Sequence, residues 1–494
     1  MNDLAELALH ELDVARKHVA AHPLPVLSAA GFSAAAVSVY FGGRVGPSPA
    51  SIPMSTWLGL QPDNGAPTGP LPAALMLGAI IALVVLWIVA MRPLRRAQYS
   101  DRHVWTVAGI WSLPFIIGPP LLSSDVYTDV AHGLLARSGR DPYTHAPSAL
   151  GNLPVVAAID PNSRSAASTS GPVGSFVEHL TVSVTGGQAL AGVLVLRAVA
   201  VLSVVAVGLL AAELAGPRRV AALTLTVLNP AVLLLVVSGA HLEGLLAALL
   251  LAALLAATQR RWVLAILLAC AGAGIKPVAL IAVAALLVAH CRDRRNRLAW
   301  TVLARDGLVA VAGLAACVLC VGDGLGWARN LDSLTRQRTP FSVASAVGDV
   351  LSPVVAAASF DDLAAGGSIV VVLAAVCLVA YLLVTVSRRP LDRTVGFALL
   401  GAALLGPVLY PWYLLWGLFC LAPTAAGARR HWVVALSCAA CVLMPVGFSD
   451  RTAQLVTGAA LAVIALVLLA RLRHRHRPQV RTPLQPQRRA VSGG

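Results

Sequence analysis

The sequence predicts an all-α integral membrane protein, a polytopic bundle of about 13–14 transmembrane helices with long extracytoplasmic loops. Three observations carry that prediction. Of 494 residues, 58% are hydrophobic and only 12% charged, against about 25% charged in soluble domains. Apolar runs of about 20 residues recur along the chain, as solid runs and not as the alternation of a membrane β-barrel. The basic residues behind the net charge of +15 collect in short segments between those runs, the pattern of cytoplasmic loops in a membrane protein. That placement leaves no folded basic face, so nucleic acid is excluded as a partner and membrane lipids are expected.

Residues 1–23 form a cytoplasmic N-terminal segment, 24–470 a transmembrane domain and 471–494 a basic cytoplasmic tail. The first span, 24–42, follows Arg16 and Lys17 and reads as a retained helix, not a cleaved signal. Further spans fall at 71–91, 104–121, 187–214, 219–237 and 241–257, then a short pair at 262–274 and 276–290. The last group lies at 301–321, 367–387, 393–410, 412–426, 432–448 and 453–470. With the N-terminus inside, the clusters Arg92/Arg95/Arg96, Arg218/Arg219, Arg260/Arg261, Arg292/Arg294/Arg295/Arg297, Arg388/Arg389/Arg393 and Arg429/Arg430 all face the cytoplasm. Outer loops span about 43–70, 122–186 and 322–366, and loops of that length are usually functional or disordered. The first long one opens with a helix over Asp125–Arg137, turns at Asp141-Pro142-Tyr143, and carries a Ser/Ala-rich stretch at 162–174 that reads as mobile. No internal repeat is visible, which weighs against a lipid or sugar transporter built from repeated halves.

Between Arg261 and Arg292 lie about 29 apolar residues, where two full spans need about 40. A hairpin of two short helices turning at Ala271-Gly272-Ala273-Gly274 solves this, and puts Lys276 at membrane depth. Such backbone survives only where protein or a water-filled cavity covers it. A buried ammonium needs an anion, either a carboxylate or a ligand phosphate, and phosphate is the favoured reading. Arg197, inside the fourth span, follows the same logic. Arg329, Arg336 and Arg338 offer further anion contacts or are simply solvated.

Asp125 stands at the bilayer edge, with Asp129 and His132 on the same helical face. It reads either as a general base in a cavity or as a helix cap. Asp129 and His132 read as supporting or solvated groups. His241 and Glu243 open the sixth span; a polar pair inside an apolar run marks a functional site, or else caps the helix. Two ligand-type residues do not make a metal centre, and no metal site is assigned. Trp412 and Tyr413 sit at an outer turn, where aromatics anchor the interface or stack on sugar. There is no P-loop, Rossmann fingerprint or DxD. A lipid-borne phosphate donor therefore fits better than a cytosolic nucleotide.

The string SSDVYTDVAHGLLARSGRDPYTHAP resembles the first outer loop of the actinobacterial polyprenyl-phosphate-mannose-dependent α-1,6-mannosyltransferases, of the GT-C superfamily. Ser51-Ile52-Pro53-Met54-Ser55-Thr56-Trp57, Leu228-Asn229-Pro230, GAHLEGLLAALL, GAGIKPVAL, RTPFS and PWYLLW follow in the same order, so the similarity runs from about residue 50 to 425. The resemblance implies a GT-C glycosyltransferase-type bundle in the plasma membrane, with its active site on the outer face. It implies Asp125 as the catalytic aspartate, and an inverting transfer from polyprenyl-phosphate-mannose to a lipid-anchored α-1,6-mannan of lipomannan or lipoarabinomannan type. No cofactor is implied beyond that lipid-linked donor, and metal dependence stays open. Lys276, His241, Glu243, Tyr127, Tyr143, Arg197, Trp412 and Tyr413 are the expected substrate-binding residues. The chain departs from the family pattern in reading Ser170-Gly171-Pro172 for Tyr-Gly-Pro, His241-Leu242-Glu243 for His-Asn-Glu, and Ser124 for a basic residue before the aspartate. A polyprenyl-phosphate-arabinose-dependent arabinosyltransferase is the rival within the superfamily.

Overall fold

The computed structural model describes residues 23–45, 57, 70–95, 99–161, 163–293, 299–319, 325–330, 342–343, 345–347 and 360–442. The expected span at 453–470, the basic tail, and most of the third outer loop lie outside these residues. Everything described is helix or connection, without a strand.

Three helices come first: α1 (Pro23–Gly42), α2 (Pro70–Arg95) and α3 (Asp101–Ile117). They pack closely because small residues face large ones; the Gly31 backbone lies against the Trp111 indole, where a Cβ would fall about 2 Å from the ring. The first long outer loop then forms α4 (Asp125–Arg137), a helical turn at Pro154–Ala157, and α5 (Pro172–Thr185). α6 (Ala189–Ala215) has 27 residues, about 40 Å at 1.5 Å per residue, enough to cross a bilayer with tilt. Its outward leucines, Leu194, Leu202 and Leu209, are exposed, as a lipid-facing stripe requires.

The chain then breaks. α7 (Arg219–Leu225) stops short of Asn229-Pro230, a π-helical turn covers Val232–Ser238, and α8 (Glu243–Thr258) leaves it at 111°. Two full spans were expected here. Pro230 has no N–H to continue a helix, and the left-handed Ala240 (φ 54°) turns the chain sharply before His241. α9 (Trp262–Ala273) and α10 (Leu280–Asp293) form the expected half-length hairpin, joined by a 3-10 turn at Pro277–Ala279. α11 (Trp300–Leu319), α12 (Phe360–Val384), α13 (Leu391–Leu404), α14 (Leu414–Leu421) and α15 (Ala428–Val442) complete the bundle. Among the described residues, five helices are long and apolar enough to cross a membrane, or six with the bent pair counted as one. Several of the other apolar runs among the described residues fold as shorter or broken pieces, as in the bent pair and the hairpin of α9 and α10. Proline and glycine at 230, 239, 274, 406 and 411 interrupt them.

Candidate active site

The site grows from three chain interruptions that meet at one end of the bundle. At the first, a left-handed Leu122 (φ 67°) turns the chain out of α3 into α4. Asp125 occupies the first helical position, half-buried, and its backbone N–H donates to Ser123 Oγ at 3.1 Å. Free amides at a helix N-terminus favour a carboxylate there. Ser124 Oγ accepts from the Asp160 N–H at 3.1 Å, which ties the head of α4 to the loop that follows. Leu121 N–H reaches Ser238 Oγ at 3.2 Å, which joins this turn to the second interruption.

That second interruption carries His241 and Glu243, both buried. His241 Nδ1 lies 3.8 Å from Glu243 Oε2, and its ring stacks on Trp412 with centroids 4.3 Å apart. Trp412 in turn stacks on Tyr410 at 4.8 Å, and Tyr413 on Trp416 at 4.1 Å. Trp412 is buried, so it faces inward and does not serve as the interfacial anchor that was one expectation for it.

The third interruption is the hairpin turn. Lys276 Nζ stands 3.9 Å from Glu243 Oε1, with Lys276 26% exposed and Glu243 2%. A carboxylate from a neighbouring helix therefore sits beside the ammonium, which the hairpin's own sequence does not supply. The start of α5 seats directly on this turn: Gly171 N–H donates to Ile275 O (3.0 Å) and Val173 N–H to Gly274 O (2.8 Å). Only a glycine fits, since a Cβ on Gly171 would lie 2.3 Å from Gly274 O. The stretch 162–174, expected to be mobile, is thus pinned at its end, with Ser168 also bonded to Pro142 O and held by Asn330.

Asp125, Asp129, Glu243, Tyr413 and Lys276 lie within one another's electrostatic reach. On α4, burial and the neighbouring carboxylates Glu178, Asp125 and Glu243 hold Asp129 well above the usual carboxylate range, against the pull of Lys276. Burial pushes His132 down to about 4, with Lys276 acting the same way and the Ala166 backbone opposing. The imidazole is therefore neutral at physiological pH. Burial raises Tyr127 to about 12 even beside the Arg197 guanidinium.

Not every expected residue joins this cluster as foreseen. Arg197 is 1% exposed and spends its guanidinium on three carbonyls: Ile116 (2.9 Å), Gly118 (2.7 Å) and Ser238 (2.9 Å). It locks the end of α3 to the π turn, with Trp57 over its face, where an anion contact was expected. Tyr127 lies buried beside it. Tyr143 is buried against the second long outer loop; Gly326 approaches its ring, and Asn330 donates to its carbonyl at 2.9 Å. Arg329 is exposed, and Arg336 and Arg338 lie outside the described residues. His132 is buried, not solvated, and faces Glu178 of α5. Sequence reasoning missed Glu178 altogether, because one acid in a loop segment carries no spacing signal.

Broken and half-length helices around a partly buried ion pair, beneath a structured outer loop, define a polytopic membrane protein with a site at one end of its bundle. The family described as "Alpha-(1->6)-mannopyranosyltransferase, N-terminal domain" matches residues 28–292, and the "MptB C-terminal domain" matches residues 344–471. The chain belongs to this alpha-(1->6)-mannopyranosyltransferase family and is a glycosyltransferase. It is 27% identical over 382 residues to alpha-(1->6)-mannopyranosyltransferase A of Mycobacterium tuberculosis, covering 73% of this chain and 72% of that protein. A probable alpha-(1->6)-mannopyranosyltransferase of Mycolicibacterium smegmatis is 26% identical over 458 residues, covering 83% and 81%. No solved structure matches the chain. The broken helices fit the transporter alternative as well as an enzyme, and family membership decides between them.

Proposed function

We propose that the chain transfers mannose from polyprenyl-phosphate-mannose to a lipid-anchored α-1,6-mannan, with inversion, on the outer face of the plasma membrane. The observation that carries this reading is Lys276. Its ammonium stands at the turn of two half-length helices, beside Glu243 but beyond hydrogen-bond distance of it at 3.9 Å. Its donors can therefore turn to an incoming phosphate. A lipid phosphate arriving from the bilayer meets it at the depth where a cytosolic nucleotide would not. The names of the relatives support mannose as the sugar.

In this reading Asp125 takes the proton from the acceptor hydroxyl as that oxygen bonds to the anomeric carbon. The bond from that carbon to the phosphate oxygen breaks on the opposite face. Polyprenyl phosphate leaves with the electron pair, and Lys276 balances the developing charge in a low-dielectric site. Glu243 and His241 hold the ammonium and the Trp412 ring in place, and Trp412 and Tyr413 wall the sugar. Tyr127 and Tyr143 act through packing, and Arg197 through its hydrogen bonds to the carbonyls of Ile116, Gly118 and Ser238.

The test is incubation of purified protein with polyprenyl-phosphate-mannose and a short α-mannoside. The expected product is one hexose heavier, with a new α-1,6 linkage by NMR. Turnover of polyprenyl-phosphate-arabinose, with the mannose donor left untouched, would replace this reading by the arabinosyltransferase one.

A further inference from the structure

A second cluster lies one helical turn beyond Asp125 and has no role in the transfer just described. Asp129 and His132, three residues apart on α4, face Glu178 of α5, and one ligand-type atom from each lies within 4.8 Å of the others. His132 is 6% exposed, and neither ring nitrogen makes a hydrogen bond of proper geometry. We propose that Asp129, His132 and Glu178 bind a divalent transition-metal cation, Mn2+ or Zn2+, which clasps α4 to α5.

A buried imidazole with an unused lone pair is costly unless something accepts that lone pair. Here the ring is also held neutral, the form in which it ligates a metal. Two carboxylates share the same pocket, Glu178 at 0% exposure, and like charges so placed repel unless a cation or proton intervenes. One imidazole with two carboxylates suits Mn2+ or Zn2+ better than Mg2+ or Ca2+, which prefer oxygen throughout.

The surroundings are built to the same end. Ser170 Oγ donates to Glu178 Oε1 at 2.8 Å, the kind of outer contact that orients a ligating carboxylate. Gly133 lets the two helices approach, since a Cβ there would lie 2.3 Å from the Glu178 carbonyl oxygen. Metal bonds of about 2.0–2.2 Å would draw the three ligand atoms to about 3–3.5 Å apart. Side-chain rotation at Asp129 and Glu178 supplies that contraction. A cation here fixes α4, which carries Asp125, to α5, whose first turn seats on the Lys276 hairpin. It would therefore set the separation of those two groups. The competing arrangement is one proton shared between Asp129 and Glu178, with no metal.

The experiment uses the full chain in detergent, stripped with EDTA and desalted. Mn2+ is titrated and its free EPR signal followed; thermal unfolding is recorded with and without Mn2+ or Zn2+. One Mn2+ should be taken up per chain, Zn2+ should displace it, and the melting temperature should rise by about 2–4 °C. Glu178→Gln and His132→Gln should each weaken uptake at least tenfold, while Glu213→Gln, at the far end of α6, leaves it unchanged. If the variants do not fold, pulsed EPR of Mn2+ on the wild-type chain still decides, since a coordinated imidazole gives a nitrogen coupling. A wild-type chain that takes up no Mn2+ and melts unchanged with both metals overturns the site, as does bound Mn2+ without nitrogen coupling. None of these readouts uses a sugar donor, so the outcome is separable from the assignment of donor and acceptor.

Discussion

At Lys276 two roles of one ammonium can be separated by a double-mutant cycle with Glu243. Breaking a fully buried ion pair costs about 3–5 kcal/mol. A lysine one quarter exposed, at 3.9 Å, brings that down to about 1–2 kcal/mol. Lys276→Met should therefore lower the melting temperature by a few degrees, and adding Glu243→Gln should restore it by removing the stranded carboxylate. Donor use should stay at least tenfold weaker in both variants, because neither supplies a cation for the phosphate. A double variant that regains both stability and donor use would reduce Lys276 to a counter-ion of Glu243. Asp125 asks for a simpler test. Asp125→Asn keeps the shape at the head of α4 and removes the proposed base, so turnover should fall about 10²–10⁴-fold with the melting curve unchanged. Activity within a few-fold of wild type would place the base on another group. Asp125 lies in the loop beyond an apolar run and was singled out as the base by the family resemblance, whereas Lys276, His241 and Glu243, which the fold brings together, stood out in the sequence as polar side chains in apolar runs. Arg197 stood out for the same reason, yet its partners are backbone carbonyls of α3 and the π turn, which no side-chain pattern announces.

Between elements, the seat of α5 on the hairpin turn decides where Lys276 points. Gly171→Ala would place a Cβ 2.3 Å from the Gly274 carbonyl oxygen, and that neighbour is backbone with no rotamer to yield. Overpacking of this kind costs about 1–3 kcal/mol. The variant should melt several degrees lower and lose turnover by at least tenfold, whereas Gly151→Ala in the same outer loop meets open space and should pay only for its left-handed backbone. Normal turnover in Gly171→Ala would show that the turn and α5 are not coupled. The hairpin itself was legible from arithmetic, since thirty residues between two basic clusters are too few for two crossings. The break from Thr226 to Leu242 was not, because 219–237 and 241–257 read as two ordinary apolar runs. The decisive features are local: a proline without an N–H at 230 and a left-handed alanine at 240. Hydropathy averages over both. The pairing of α4 with α5 was hidden for a related reason. It depends on Gly133 meeting the backbone at Glu178, a contact 45 residues away in sequence.

For the molecule as a whole, the site is proposed to face out of the cell, and the charge pattern alone sets that orientation. The ends of α9 and α10 carry Arg261 and Arg292, while the turn with Lys276 points the other way. Arg218 lies on an exposed turn after α6, so it should share the cytoplasmic side with them. Ser148 lies on the exposed 3-10 turn of the first long outer loop, on the Asp125 side. In a cysteine-free background, Ser148→Cys should react with an impermeant thiol reagent on intact cells, and Arg218→Cys only after the membrane is opened. Both substitutions sit on exposed turns away from the buried cluster, so folding should survive them. α6 places the two positions on opposite sides, because its 27 residues cross about 40 Å without a break. Labelling of Arg218→Cys from outside would invert the orientation. Lys276 and Asp125 would then face the cytoplasm, and the proposed lipid-linked donor, if held in the outer leaflet, could not reach them.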